Sequence, residues 1–524
     1  MLKIKSFFLT PLNRKRAFLL LTSIYIIGCL ALFRSNFRYA DDQSRIAFGY
    51  IGWRTDGRYV SAILAPIVNM SSYLTDISPV SQILALVFCA AGAILSSCAI
   101  LKTHTLSLLD VISLIPVGLS PYFLGCLSYK FDSPYMGISV LFSCLAILYL
   151  ERSPKVQLPV TVLCLLISAC TYQASLGIYP ILVSALLLHA YCSRRNSREL
   201  LHLFAKAVIS FAAALILYVA ALIVLGNNPF TQTEGLSQGS PFSRSLSNYQ
   251  AYWKLIRSDI PGTWLFLACL NILIFYIIYV MALKGKRFLR FLLPLAYLVL
   301  TFVFAFGLYP FLASENIYSP RSMYGLGIFL SMINLGITHH PEIHTDLKMP
   351  LRAVGCLATV LLSWSCVVFA ASYGNALYEE NYYMNTRLNA LLDDLKDCKQ
   401  LNSGKTITVQ VTGSIGFAPV LRNGSDQISR REGQAYSGLL RTSRADANLI
   451  QRLMIMEYLS SSDSIFTDFI LYYYCDLPIQ RNSDVDLTEK NLPVLIDNVY
   501  ETIRGDDSNL LIELKSYDLD LRME

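Results

Sequence analysis

The sequence predicts a polytopic α-helical membrane protein, of about eleven transmembrane helices, carrying a C-terminal α/β domain outside the bilayer. Three observations predict it. Of the 524 residues 54% are hydrophobic and only 15% charged, with a mean hydropathy of +0.47, whereas soluble domains carry roughly 25% charged residues. Long apolar stretches fill residues 17–372, and charge is confined to the short segments between them. Acids then concentrate after residue 373, over a stretch the size of a domain.

The first element is the apolar run Ala17–Phe33, preceded by Lys3, Lys5, Arg14, Lys15 and Arg16. It is longer than the apolar region of a signal peptide, and no A-x-A-like site follows, so it reads as a retained span. Further runs fall at 81–101, 106–124, 136–150, 156–171, 176–192, 203–225, 263–283, 291–313, 323–338 and 353–372. The stretch 156–192 is too long for one helix across a core of about 30 Å, and it divides at the polar Thr171-Tyr172-Gln173-Ala174-Ser175.

Orientation follows from the basic residues. With the N-terminus in the cytoplasm, inner loops hold Lys102, Arg152, Lys155, Arg194, Arg195, Arg198, Lys284, Lys286, Arg287, Arg290, Lys348 and Arg352. The longer outer loops carry fewer, as the positive-inside rule requires. The net charge of +7 therefore reports orientation and not nucleic-acid binding, and an odd number of spans places the C-terminus outside. Two domains result: residues 1–372, with a long outer first loop at 34–80, and the outer tail 373–524. Residues 226–262 form a Gly/Ser/Asn-rich outer loop.

Within the first loop, Ile46, Tyr50 and Trp53, and then Val60, Ile63, Leu64 and Ile67, recur at helical spacing, which predicts two short interfacial helices. The tail reads as a helix at 376–398, a strand at 406–412, a helix at 446–460 and a strand at 510–514. Most of the thirteen cysteines lie in apolar runs as small hydrophobes, and no C-x-x-C pair occurs. Cys398 and Cys475, the two in the tail, are candidates for a disulfide in an oxidising exterior.

Five outer features carry candidate chemistry, each beside a plainer reading. Tyr39-Ala40-Asp41-Asp42 offers a general base for an acceptor hydroxyl or a carboxylate for a divalent cation such as Mg or Mn; alternatively one Asp caps a helix. In Gly52-Trp53-Arg54-Thr55-Asp56-Gly57-Arg58, the arginines bind lipid phosphate or anchor in head groups. Lys130 and Asp132, in Leu127-Ser128-Tyr129-Lys130-Phe131-Asp132-Ser133-Pro134, form a substrate contact or a structural ion pair. Tyr172 and Gln173 suit sugar hydroxyls, or the interface alone. Arg321, in Tyr318-Ser319-Pro320-Arg321-Ser322, opens a span where an anion would offset its clash with the helix dipole. No motif is specific alone; their common side of the membrane is the stronger argument, and it points to an anionic, lipid-borne substrate.

These residues resemble the bacterial and prophage O-antigen serotype-converting glucosyltransferases of the Gtr type, similar to glucosyl transferase II. The likeness runs from Tyr39-Ala40-Asp41-Asp42 through Arg45, Trp53 and Gly57-Arg58, then Asp76-Ile77-Ser78-Pro79, the Leu127–Ser133 motif, Tyr172-Gln173-Ala174-Ser175 and Pro320-Arg321. It covers most of residues 15–340 and leaves the tail aside. Gly125-Cys126 departs from the expected Glu-Asn pair. The resemblance implies a GT-C-like membrane glycosyltransferase at the periplasmic face of the bacterial inner membrane, with a periplasmic tail. It implies undecaprenyl-phosphate glucose as donor and O-antigen lipopolysaccharide as acceptor, with a small flippase and a donor-making glucosyltransferase upstream.

On this reading Lys130, Arg321 and Arg45 stabilise the departing phosphate, with Arg58, Tyr172 and Gln173 also at the substrate. Asp41 or Asp42 is the base of an inverting displacement, and Asp132 orients Lys130 or binds sugar. An O-antigen polymerase is the nearest alternative. A lipid-linked sugar flippase would need charged or polar groups near mid-span; the spans are nearly free of charge, with Asp110 an exception near an inner end, which weighs against transport. A non-catalytic membrane anchor for the tail needs far fewer than eleven spans.

Overall fold

The computed structural model describes residue 8 and residues 10–39, 41–193, 195–227, 241–283, 287–311, 320–339, 348–416, 418–421, 463–481 and 486–516. Each apolar run expected to span is helical, but the runs are cut differently. The first is two helices, α1 (Arg14–Gly28) and α2 (Leu30–Ser35), interrupted at Cys29. Ahead of α1, β1 (Pro11–Asn13) pairs antiparallel with β2 (Thr105–Ser107), a strap absent from the sequence reading. Asn13 then caps α1 by accepting the Arg16 N–H at 2.9 Å.

The first loop holds the two short helices expected of it, α3 (Asp42–Phe48) and α4 (Tyr59–Asn69). Trp53 lies between them in a turn rather than on α3. On α4, Ile63 and Ile67 face outward, each 63% exposed, as an interfacial helix would leave them.

After α5 (Val80–Leu101) the run expected at 106–124 becomes α6 (Leu108–Ser113), α7 (Ile115–Leu119) and α8 (Pro121–Ser128), with a bend of 50° before α8. Pro121 causes that break, since residue 120 is held extended before it. Residues 125–128, expected in a loop, continue the helix because Leu124 to Leu127 remain buried and apolar. The bundle continues through α9 (Ser133–Leu145), α10 (Pro154–Ala169), α11 (Ile178–Cys192) and α12 (Ser197–Val224).

Next comes α13 (Pro241–Asp259), a helix where the sequence suggested loop. It buries Asn248, Tyr252, Ile256 and Asp259 at helical spacing, and Tyr122 donates to Asp259 at 3.0 Å. Then follow α14 (Gly262–Ala282), α15 (Arg287–Phe304) and α16 (Gly325–Thr338).

Among the described residues, six helices are long and apolar enough to cross a membrane, or seven if the bent pair counts as one. The structure thus shows a largely helical bundle compatible with a membrane protein, in which several of the eleven expected spans are short or broken.

The last apolar run and the expected tail helix are one element, α17 (Lys348–Lys396), 49 residues long. Gly374, between the expected span at 353–372 and the expected helix at 376–398, is a crossing point: a Cβ there would stand 2.2 Å from the Leu32 backbone nitrogen. Beyond it lies a five-stranded sheet, made of β3 (Ile407–Gly413), β4 (Ile479–Arg481), β5 (Val494–Asp497), β6 (Glu501–Gly505) and β7 (Asn509–Leu514), in the order β4-β3-β7-β6-β5. β3 runs parallel to β4 and β7, and β6 antiparallel to β5 and β7. One further helix, α18 (Asp463–Tyr474), precedes β4. The two expected strands are β3 and β7, while the expected helix at 446–460 lies outside the described residues. Cys398, buried, and Cys475, half-buried, are both free thiols in this structure.

Candidate functional site

Segments far apart in sequence converge at one end of the bundle. The α8–α9 turn carries Asp132, the α3–α4 loop carries Trp53 and Arg58, and α3 carries Arg45. Asp132 is the hub. It pairs with Arg45, accepts from the Trp53 indole at 2.6 Å, and accepts from Arg58 at 3.3 Å. Both Asp132 and Arg45 are buried. Two guanidiniums and an indole fill both carboxylate oxygens, so Asp132 neither orients Lys130 nor is open to a sugar. The two side chains of this turn serve opposite partners.

Lys130 is buried too. Its ammonium donates to Asn36 Oδ1 at 2.6 Å and to Asp76 at 3.2 Å. Asn36 adopts the left-handed conformation, φ 44°, which Asn tolerates better than most residues. Asp76 in turn accepts from the Ser78 hydroxyl and N–H. Burial alone would push the Asp76 carboxyl up; Ser78 and Lys130 outweigh it and hold it below the usual carboxylate range.

The acidic pair is split. Asp41 is solvent-facing, with its side chain 58% exposed and 3.8 Å from Arg45. Asp42 is enclosed, accepting the backbone N–H groups of Tyr39 at 3.3 Å and Lys130 at 3.2 Å, and its Oδ1 has no hydrogen-bond partner among the described residues. Burial pushes its carboxyl up to about 7, against the pull of Lys130 and Arg45. Asp41 caps α3 without a side-chain hydrogen bond, so the plain capping role explains neither acid.

Three arginines here each lie over an aromatic ring: Arg45 over Trp53 at 4.8 Å, Arg58 over Tyr172 at 4.9 Å and Arg321 over Tyr129 at 4.9 Å. Stacking engages the face of a guanidinium and leaves hydrogen bonding to its edge. Tyr172 ties two of them together, since it also donates to the Arg321 carbonyl at 3.2 Å. A chain of contacts therefore runs from Asp41 through Arg45, Asp132, Arg58 and Tyr172 to Arg321. Gln173 stands behind it, donating to the Asp56 carbonyl and the Tyr218 hydroxyl, each at 2.7 Å.

Arg321 sits in a short 3-10 turn, Pro320–Ser322, ahead of α16 and not at that helix's N-terminus. The expected helix-dipole clash falls away, and the Tyr129 ring is its anchor. Tyr318 and Ser319 lie outside the described residues. Cys126 donates to the Arg321 carbonyl at 3.6 Å, so the position that departs from the resemblance abuts the arginine turn.

Sequence reasoning gathered most of these groups but missed Asn36, Tyr129 and the catch formed by Asp76 on Lys130. Asp76-Ile77-Ser78-Pro79 was a visible motif without a visible partner. Among the described residues no group of three or more His, Cys, Asp or Glu is placed to hold a metal. With Asp41 open and Asp42 enclosed, the pair does not present two carboxylates to one ion, so the residues do not fit the divalent cation considered from sequence.

The tail reaches the same end. Tyr473 packs on Phe48 at 5.0 Å and Arg38 lies over Tyr474 at 4.5 Å. Tyr472, Tyr473 and Tyr474 are each about 40% exposed, and the last two meet the first loop.

The fold and site together define a largely helical protein, compatible with a membrane protein, with a dense polar centre at one end. Residues 30–332, more than half of the chain, match the family model of glucosyl transferase GtrII, and the chain belongs to that glycosyltransferase family. A protein of Salmonella phage P22, described as an uncharacterized 55.3 kDa protein in the gtrB 5' region, is 24% identical over 247 residues, 45% of this chain and 48% of its own. The chain thus spans about half the length of this curated relative. No solved structure matches it.

Proposed function

We propose that this chain transfers glucose from undecaprenyl-phosphate glucose to the O-antigen of lipopolysaccharide, at the periplasmic face of the bacterial inner membrane. Family membership supports the sugar transfer. The observation that carries the mechanism is the continuous chain from Asp41 to Arg321, which sets an accessible carboxylate and stacked arginines in one site.

Asp41 is the general base, because its carboxylate is open to an acceptor hydroxyl and Asp42 is walled in. Asp41 takes the hydroxyl proton as that oxygen attacks the anomeric carbon. The bond from that carbon to the lipid phosphate breaks on the opposite side, which inverts the centre. Undecaprenyl phosphate departs with the electron pair, and the edges of Arg58 and Arg321 stabilise its growing charge. Arg45 keeps the field positive beside the base. Asp132 fixes Arg45 and Arg58; Asp42 and Lys130 position the Asn36–Tyr39 entry and the α8–α9 turn. A flippase and a donor-making glucosyltransferase supply the lipid-linked sugar.

Transport is the weaker reading. Asp110, a charged group inside an expected span, closes a capping box with Ser107 and accepts from Thr338 at 2.9 Å, so it serves the start of α6. The deciding experiment is transfer of radiolabelled glucose from undecaprenyl-phosphate glucose to purified lipopolysaccharide by protein in liposomes. Labelled lipopolysaccharide of unchanged chain length supports the proposal. Longer chains would indicate a polymerase, and movement of donor across the bilayer without transfer would indicate a flippase.

A further inference from the structure

A second polar recess lies where three parts of the molecule meet: the Asn36–Arg38 segment, the distal half of α17 and the tail domain. It is a cavity of about 130 Å³. That is several times the roughly 30 Å³ share of one water molecule, and below the roughly 300 Å³ at which pockets for drug-sized ligands begin. One ring of a saccharide is the scale it suits.

The lining is chemically mixed. Asn36 and Arg38 come from the first loop, Asn381, Asn385 and Arg387 from α17, and Glu501 from β6. Asn381 and Asn385 share a face of α17 at i, i+4, and Asn385 donates to the Asn381 carbonyl at 2.8 Å. Arg387 is locked, donating to the Tyr383 hydroxyl at 2.9 Å and the Tyr500 carbonyl at 2.8 Å, with Glu501 3.9 Å away. Burial, reinforced by nearby Asp394, pushes the Glu501 carboxyl up to about 7.

Arg387 is committed to Tyr383, Tyr500 and Glu501, and Arg38 lies over Tyr474, so the charges do not make a simple anion or cation site. The amides sit beside apolar side chains such as Phe37 and Met384, so the recess is not purely apolar either. Amide groups that donate and accept, with fixed charged groups between them, match a neutral polyhydroxylated ring. The recess also adjoins the cationic site, since Asn36 lines it and accepts from Lys130 at 2.6 Å.

We infer that this recess is a subsite for one sugar residue of the acceptor glycan, set a short distance from the residue that receives the new bond. The inference rests on the transferase reading above. The tail domain then completes a pocket that neither the loop nor α17 closes alone.

The test uses the full chain in nanodiscs and, as probe, O-polysaccharide freed of lipid by mild acid. Saturation-transfer NMR reads binding directly, and transfer kinetics read KM for donor and acceptor separately. Asn385→Leu is the working variant, because Asn385 is exposed on a long helix and the change leaves the helix intact; Asn385→Gln is the conservative control. The inference expects Asn385→Leu to lose the saturation-transfer signal and to raise acceptor KM at least tenfold, with donor KM unchanged and Asn385→Gln close to wild type. Unchanged acceptor KM and signal in Asn385→Leu would overturn it, as would a wild type that transfers glucose but gives no polysaccharide signal. If wild type binds polysaccharide, loses it in Asn385→Leu and transfers nothing from the glucose donor, the subsite stands and the transferase reading falls.

Discussion

The two ends of the helical bundle treat charge in opposite ways. At one end Glu151 pairs with Lys102 and, at 2.5 Å, with Arg195, and all three side chains are 30% to 42% exposed. At the other end Arg45 and Asp132 form their pair with side chains 5% exposed each, with Arg58 and Trp53 closing over it. Exposed pairs of the first kind contribute about 0–1 kcal/mol. Buried ones carry a desolvation cost that hydrophobic packing would avoid. Burying the Arg45–Asp132–Arg58 set at this cost, beside an open Asp41, points to a use for it besides stability.

The comparison breaks most sharply at the base. Asp41→Asn should lower transfer by about 10²–10⁴-fold with expression and melting temperature intact, while Asp42→Asn keeps most activity. The reverse result in liposome assays would move the base to the enclosed acid. Next comes Asp132→Ala, which leaves two guanidiniums without their anion; a loss of about 3–5 kcal/mol is expected, read as a depressed melting temperature together with weakened donor binding. Arg321→Lys keeps the charge but loses the planar fork and the stack on Tyr129, so donor kcat/KM should fall about tenfold.

A smaller effect isolates Asp42. Its folded pKa of about 7 lies above the ordinary carboxylate value, so its contribution to stability is fully present below about pH 4 and is lost as pH rises through 7. Asp42→Asn should therefore raise the melting temperature at pH 8, by roughly 2–5 °C, and change little at pH 4. The smallest effect belongs to the opposite end: Glu151→Gln should shift stability by no more than about 1 kcal/mol and leave transfer unchanged. A large loss there would erase the contrast between the two ends.

Hydropathy made the helices legible, because apolar periodicity is local. It could not show where they break or fuse. Cys29 carries no breaker signal, yet its N–H divides between the Tyr25 and Ile26 carbonyls, and the run ends there. Gly374 falls in the gap between an expected span and an expected helix and is a helix crossing. In the site, arginines and acids on one side of the membrane were visible as a set, but their partners were not. Lys130 and Asp132 sit two residues apart and look like one pair, while each is committed to a partner more than fifty residues away. Pairing of that kind depends on which loops meet above the bundle, and short motifs do not encode it. Asn385 and Glu501 lay in a tail whose relation to the first loop no local pattern could give.

The length of α17 has a mechanical consequence. At 1.5 Å per residue its 49 residues measure about 74 Å, against a hydrocarbon core of about 30 Å. The same rod, long and apolar enough to cross a bilayer, also forms a wall of the recess at Asn381 and Asn385, in one unbroken helix. Tilting it, as a thinner or thicker membrane does, swings its distal half as a lever swings its far arm. Bilayer thickness would then reach the proposed saccharide recess as a displacement, and the surrounding lipid would become a dial on its shape.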